Sequence, residues 1–112
     1  MEDLFHRCLG NLDLVERVLR AFESHFESDL EELEAALRAD CFERVAQISH
    51  RMKGACSNVA ATPMARTLAS LEQWARDENR AEAAACMDRL CEDWQQFVAA
   101  EKDFTGLMAA TC

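Results

Sequence analysis

Apolar residues recur every three or four positions along most of this chain, which is the spacing of amphipathic helices. The longest such stretch covers residues 12–39, and a shorter one over residues 2–9 ends at Gly10 and Asn11. No segment alternates apolar and polar residues between turn signals, as a half-buried strand would. We therefore predict a short first helix and a long second helix. The inward stripe of the second helix is predicted to be Val15, Val18, Leu19, Phe22, Phe26, Leu33 and Leu37.

Three polar residues stand where helix N-caps are expected. Asp40 is followed three positions later by Glu43, which is the pattern of a capping box. Thr62 precedes Pro63, and proline is well tolerated in the first turn of a helix. Asn79 has the same capping character before the last apolar stretch. The remaining predicted helices are residues 41–58, residues 63–76 and the stretch that follows Asn79.

Four long amphipathic helices joined by short connections pack most simply as an antiparallel four-helix bundle, with the short helix capping one end. The fold class is therefore predicted to be all-α. The 112 residues fit a single domain. We expect residues 12–103 to form its bundle core and residues 104–112 to be a tail without an assigned role. The inward residues of the last two helices are predicted to be Met64, Leu68, Leu71, Trp74 or Ala75, Ala83, Met87, Leu90, Trp94 and Phe97.

The charge and composition of the chain exclude several classes of function. A formal net charge of −9 argues against binding nucleic acid or anionic lipid, both of which need a basic surface. No stretch approaches the roughly 20 apolar residues of a membrane span, and the N-terminus does not resemble a signal peptide. We therefore expect a cytoplasmic protein that does not bind membranes. We also expect a monomer that is free-standing, and the alternative is a piece of a hybrid kinase. In that compartment most of the six cysteines would be small, reduced and buried hydrophobic residues.

The third helix carries a histidine on the side away from its apolar stripe. At about 100° per residue, His50 lies opposite the centre of that stripe, so we do not expect it to be buried. Gly54, one turn further on, costs a helix about 1 kcal/mol against alanine, which suggests that something approaches closely there. The predicted apolar stripe is Cys41, Val45, Ile48, Met52, Ala55, Cys56 and Val59. The residues predicted to share the side of His50 are Ala46, Gln47, Lys53, Gly54 and Ser57.

An exposed histidine in this setting has the chemistry of a phosphoryl carrier. Neutral imidazole is available near physiological pH and is a competent nucleophile. Lys53 would supply positive charge, Ser57 a hydrogen bond, and Gly54 room for an incoming protein. The chain has no Gly-rich phosphate-binding loop, so the phosphoryl group must come from another protein. Many exposed histidines and helical glycines have no function, however, and geometry alone leaves that reading open.

The segment "SHRMKGACSNVAA" resembles the signature of histidine-containing phosphotransfer (HPt) domains, which is His-x-x-Lys-Gly followed by small residues. The segment "LASLEQWAR" is similar to the next helix of that family. The resemblance implies a two-component phosphorelay, in which His50 accepts a phosphoryl group from an aspartate of a receiver domain and passes it to another. It places Lys53 and Gly54 beside the phosphohistidine. It also matches Glu72 to a position on the next helix whose side chain often hydrogen-bonds the histidine and is glutamine in some members.

The resemblance also implies the partners and what the chain itself lacks. The expected partners are response-regulator receiver domains and a hybrid sensor histidine kinase. Magnesium is expected on the receiver domain, and neither a cofactor nor a metal on this chain. The family commonly has glycine ten residues after the histidine, where this chain has Ala60. A kinase histidine box is not matched, because Arg51 replaces the usual acidic residue and the only proline is Pro63.

Several further expectations concern the surface around His50. The receiver is expected to dock over Ala46, His50, Lys53, Gly54 and Ser57, with Gln47 in support and Arg51 selecting an acidic partner. The alternative is a non-phosphorylated interaction or inhibitory module that binds a receiver or kinase through the same face. A metal or haem bundle is disfavoured because the chain has no Glu-x-x-His motif. We expect His25 to be partly buried and His6 to face solvent.

Overall fold

The computed structural model describes the backbone of residues 2–111 and the side chains of residues 3–104. The described chain is helical throughout, with short turns and no strand, which confirms the all-α prediction. The fifth helix runs on through residues 104–111, where we had expected a tail. The five helices are α1 (Glu2–Arg7), α2 (Leu12–Arg38), α3 (Phe42–Asn58), α4 (Thr62–Arg76) and α5 (Arg80–Thr111).

The bundle core is built from the apolar stripes of the helices. α3 packs between α2 and α4, and α5 contacts both α4 and α2. Most of the predicted inward residues are buried, and Cys41 is exposed because it precedes the first turn of α3. The predicted inward residues that are only partly buried are Val18, Ala55, Trp94 and Phe97. An aromatic cluster joins α2 to α5, with the Phe26 and Trp94 rings stacked 4.2 Å apart. The largest fully buried side chains are Phe26, Leu4, Leu19, Leu33, Ile48, Met52, Met64, Leu68, Leu71, Leu90, Val15 and Val45.

Two positions after the last residue of each of the first four helices stands a residue with left-handed backbone, and none of these four residues is glycine. They are Leu9 (φ 56°), Asp40 (φ 55°), Ala60 (φ 58°) and Glu78 (φ 54°). In each case the next amide donates back across the turn, as in the Schellman motif. These bonds are Gly10 N to Phe5 O (3.0 Å), Cys41 N to Ala36 O (2.9 Å), Ala61 N to Cys56 O (2.8 Å) and Asn79 N to Trp74 O (2.9 Å). The turns therefore reverse the chain within a few residues.

These turns explain why two of the three predicted N-caps were wrong. Asn79 does cap α5, because its Oδ1 accepts from the Glu82 amide at 3.1 Å. Asp40 is taken up by the left-handed turn, and its carboxylate pairs with Arg80 instead of capping α3. α3 begins after Cys41, which makes no side-chain capping bond. Thr62 already belongs to α4, whose N-cap is Ala61.

The cysteines are only partly the buried hydrophobic residues that we expected. Cys8 and Cys56 are buried, whereas Cys41 is exposed. Burial raises the pKa of the Cys56 thiol to about 12, so this thiol stays protonated and packs as an apolar group. Cys86 and Cys91 are half-buried. Cys112 lies outside the described residues. No helix in the described part of the chain combines the length and apolar character needed to cross a membrane.

Candidate functional site

His50 lies in the middle of α3 and projects from the bundle with 66% of its side chain exposed. The imidazole is not free to rotate, because its Nδ1 lies 3.2 Å from Oε1 of Glu72. Glu72 belongs to α4, and only 8% of the residue is exposed. A buried carboxylate on one helix thus holds an exposed imidazole on the next.

Glu72 also accepts hydrogen bonds from two cations. Lys53 Nζ lies 3.2 Å from Oε1, and the Arg76 guanidinium lies 2.7 Å from Oε2. The Arg76 hydrogen bonds are the main cause that lowers the pKa of Glu72 to about 2, helped by those of Lys53 and His50 and opposed by burial. The carboxylate is therefore ionised at neutral pH and can only accept. In a neutral imidazole, a hydrogen bond to this carboxylate requires the proton on Nδ1 and leaves the lone pair on Nε2.

The close approach of α3 and α4 brings these groups together. Ala46 lies beside Ala75 and Arg76 of α4 and is only 4% exposed. Ser49, next along the same edge of α3, is fully buried, and its hydroxyl has no hydrogen-bond partner among the described residues. Small side chains at these positions let the helix backbones approach. Our expectation that Ala46 would lie on the exposed docking face was wrong, because α4 covers this edge of α3.

Gly54 and Ser57 continue the exposed side of α3 beyond His50. Both are exposed, as expected. Apart from the adjacent residues and backbone of its own helix, a Cβ atom added at Gly54 would have no described atom within 4 Å, so packing within the bundle does not require glycine there. The Ser57 hydroxyl donates to the Lys53 carbonyl at 3.0 Å, within its own helix, and not to the imidazole.

Arg51 points toward α2 and not toward His50. Its guanidinium lies 2.7 Å from Asp29 and 3.4 Å from Glu32, and the hydrogen bond to Asp29 is the main cause that raises its pKa. Its expected part in partner selection stays a prediction. The same holds for Gln47, which is exposed and makes no hydrogen bond to His50 in the described structure.

The other two histidines lie on the surface. His6 is exposed, which confirms the expectation. His25 is also exposed, so the expectation of partial burial was wrong. It lies on the outer edge of α2, where it lines an open groove with Arg51 and Ala55 of α3. Within the described residues, no group of three or more His, Cys, Asp or Glu side chains is placed to hold a metal ion.

Arg76 is the site residue that the sequence reasoning missed. It stands four residues after Glu72, the spacing at which opposite charges meet on one helix face. That spacing was a usable signal. Because Arg76 lies far along the chain from the histidine, however, only the packing of α4 on α3 shows that it belongs to the site.

Fold and site together define a helical bundle that presents one oriented histidine on its surface. The family model of the Hpt domain matches residues 17–100, which is most of the chain and includes both His50 and Glu72. The chain therefore belongs to the Hpt domain family, whose members transfer phosphoryl groups in phosphorelays and interact with receiver domains and kinases. Neither the curated proteins nor the solved structures include a match to this chain.

Proposed function

We propose that this chain carries a phosphoryl group on His50, accepting it from an aspartate of one receiver domain and passing it to another. The observation that carries this proposal is the pairing of His50 with Glu72. A buried, ionised carboxylate holds Nδ1, while 66% of the imidazole side chain stays open to a partner. A histidine without a role would have no need of such a fixed orientation.

The transfer step can be written with every atom accounted for. The Nε2 lone pair attacks phosphorus, an N–P bond forms, and the bond between phosphorus and the aspartyl oxygen breaks. The aspartate leaves as a carboxylate, and the Nδ1 proton stays on the ring. The ring therefore gains positive charge as the bond forms, and the Glu72 carboxylate at 3.2 Å stabilises that charge. The reverse sequence hands the group to the next receiver.

Two cations near the imidazole suit the charge of the transferred group. Lys53 and Arg76 both touch Glu72, which places them on the His50 side of the interface between α3 and α4. The phosphoryl oxygens carry negative charge throughout the transfer, and nearby cations lower the barrier. We assign this role first to Lys53, one turn after His50, and assign the clearance for the docking receiver to Gly54.

The receiver and an upstream hybrid sensor kinase supply the remaining chemistry. Magnesium belongs to the receiver domain in this proposal, and the kinase supplies the phosphoryl group that enters the relay. This chain then acts as a covalent carrier between active sites that its partners complete. Docking is transient, and an interface at the small end of the usual range is expected.

The decisive experiment is transfer of radiolabelled phosphate from a phosphorylated receiver domain to the wild-type chain and to His50→Gln. We expect label on the wild type alone, with the acid lability and base stability of a phosphohistidine. Label on His50→Gln would show that another residue is the acceptor. Tight binding of a receiver without any label would instead favour the non-phosphorylated interaction module.

A further inference from the structure

A groove opens on the surface one helical turn beyond His50. It encloses about 400 Å³ between the end of α1, the C-terminal half of α3 and the start of α4. Lys53 and Gly54 form its end nearest the histidine. Its floor is made of small side chains, among them Ser57 and Ala65, so a bound segment can approach the backbones of two helices.

The charge of this groove is opposite to that of the whole chain. Arg7, Lys53 and Arg66 line it, and none of its nine lining residues is acidic. The chain as a whole has 21 Asp and Glu against 12 Lys and Arg. An acidic partner is therefore repelled by the net charge of the chain but attracted to this groove. Such a pattern selects both the partner and the orientation in which it docks.

The two arginines of the groove are available to a partner. Arg66 is exposed and has no ion-pair or hydrogen-bond partner among the described side chains. Arg7 donates from one guanidinium nitrogen to the Ser57 carbonyl at 2.8 Å, which fixes it at the end of α3. An arginine has five N–H donors, so most N–H groups of the Arg7 guanidinium can still donate to an acceptor on a partner. Lys53 shares its charge with Glu72.

We infer that this groove binds a carboxylate-rich segment of the protein that exchanges the phosphoryl group with His50. The inference rests on the proposed function for the identity of the partner, and on charge complementarity for the chemistry of the segment. Binding there would hold the partner's phosphorylated residue beside the imidazole, because the groove begins about 5–6 Å along the helix axis from His50. The groove would thus discriminate acidic from basic docking surfaces.

A binding experiment tests the groove without any knowledge of the partner. The ¹⁵N-labelled chain is titrated at low ionic strength with a short peptide of glutamates only, and separately with one of lysines only. We expect the glutamate peptide to shift the amide signals of Gly54, Ser57 and Ala65. Absence of these shifts, or equal shifts with the lysine peptide, would overturn the inference.

Charge reversal at two arginines provides the matched comparison. Arg66→Glu removes the groove's unpaired cation, whereas Arg20→Glu makes the same change of net charge on α2, which does not line the groove. We expect Arg66→Glu to abolish the peptide shifts and Arg20→Glu to retain them. Equal weakening by both variants would mean that net charge alone governs binding, and would overturn the inference.

The kinetic form of the test uses phosphorylated receiver domains that transfer to the wild type. We expect Arg66→Glu to lower kcat/KM by about tenfold at low salt, through KM, and Arg66→Lys to restore most of it. The difference in kcat/KM between Arg66→Glu and the wild type should shrink at high salt.

Phosphoramidate, a small phosphoryl donor without carboxylates, tests the reactivity of His50 in the wild type separately. If neither phosphoramidate nor any receiver labels His50, the proposed function is wrong. If receivers do label His50 but Arg66→Glu and Arg20→Glu have equal kcat/KM, only the inference about the groove is wrong.

Discussion

At the scale of single residues, Glu72 is where the interactions of the site converge. One carboxylate accepts from His50, Lys53 and Arg76 and is itself almost fully buried. A buried charge is tolerated only when it is paired, and here the pairing is complete enough to lower its pKa to about 2. The same bonds that make the burial possible also orient the imidazole.

Two substitutions at Glu72 separate orientation of the imidazole from charge. Glu72→Gln keeps an oxygen that can accept from His50 Nδ1, whereas Glu72→Leu keeps none. We expect Glu72→Leu to lose a charge-assisted hydrogen bond worth about 1.5–3 kcal/mol. That loss corresponds to about tenfold to a hundredfold in transfer rate. Glu72→Gln should retain more of the rate, and the comparison is made by phosphotransfer from one receiver domain. Equal rates in the two variants would contradict an orienting role.

The pH dependence of stability follows from the same residue. The folded state lowers the pKa of Glu72 from 4.5 to about 2, so the carboxylate stabilises the fold fully above pH 4.5. That contribution is lost as the pH falls from about 4.5 toward 2. Glu72→Gln cannot lose it, so its unfolding free energy should fall less steeply over this range. Urea denaturation at a series of pH values measures the difference, and parallel curves would contradict the assignment.

Gly54 tests whether a partner needs clearance beside His50. Because a Cβ there meets no described atom beyond the adjacent backbone of its own helix within 4 Å, Gly54→Ala should raise stability by about 1 kcal/mol through helix propensity. Gly54→Leu should fold equally well yet slow transfer from a receiver, because its side chain projects into the docking face. Thermal melts and transfer rates are measured on both variants. A leucine variant with wild-type transfer would remove the clearance role.

At the scale of elements, the helix ends depart most from what sequence patterns indicate. Glycine is the usual residue where a helix ends in left-handed backbone, because other residues are strained there. Ala60 occupies such a position at φ 58°, at the place where the family commonly has glycine. The turn after α3 therefore keeps the left-handed conformation and bears the strain of a Cβ atom.

Ala60→Gly should therefore stabilise the fold. Left-handed backbone costs a residue with a side chain about 1–2 kcal/mol. The extra freedom of glycine in the unfolded chain costs about 0.4–1 kcal/mol, so the strain relief is the larger of the two. The control is Ala39→Gly, because Ala39 is exposed and has an ordinary φ of −84°, so only the entropy cost applies. Urea midpoints should move up for the first variant and down for the second. A downward shift for both would refute the strain.

The apolar stripes could be predicted from sequence because burial depends on the spacing within one helix. The burial of residues at the edges of the stripes could not be predicted in this way, because it depends on how closely the neighbouring helix packs. Ala46 stands one turn before His50 and shares its side of the helix by spacing, yet α4 packs close enough to bury it. The N-cap expected at Asp40 is absent for a related reason, because this residue adopts left-handed backbone in the turn that follows α2. Long-range packing, which no local pattern contains, decided both.

At the scale of the whole molecule, two arginines join elements that are distant along the chain. Arg7 donates to the Ser57 carbonyl at 2.8 Å, and Arg80 donates to the Leu37 carbonyl at 2.9 Å. Each places a cation at the C-terminal end of a long helix, where the helix dipole is negative. One connects α1 to the end of α3, and the other connects the start of α5 to the end of α2. They hold opposite ends of the bundle.

Arg80→Ala tests how much such a connection contributes to the fold. Loss of the bond to Leu37 and of the dipole interaction should cost about 1–2 kcal/mol. For a domain of about 100 residues each kcal/mol lowers Tm by about 4–8 °C. Arg20→Ala is the control, because Arg20 is exposed without a partner in the described structure. Transfer to His50 should be unchanged, since Arg80 touches no residue of the site. If Arg80→Ala and Arg20→Ala have the same Tm, hydration of the free Arg80 side chain offsets the energy of its bond, as in many exposed ion pairs.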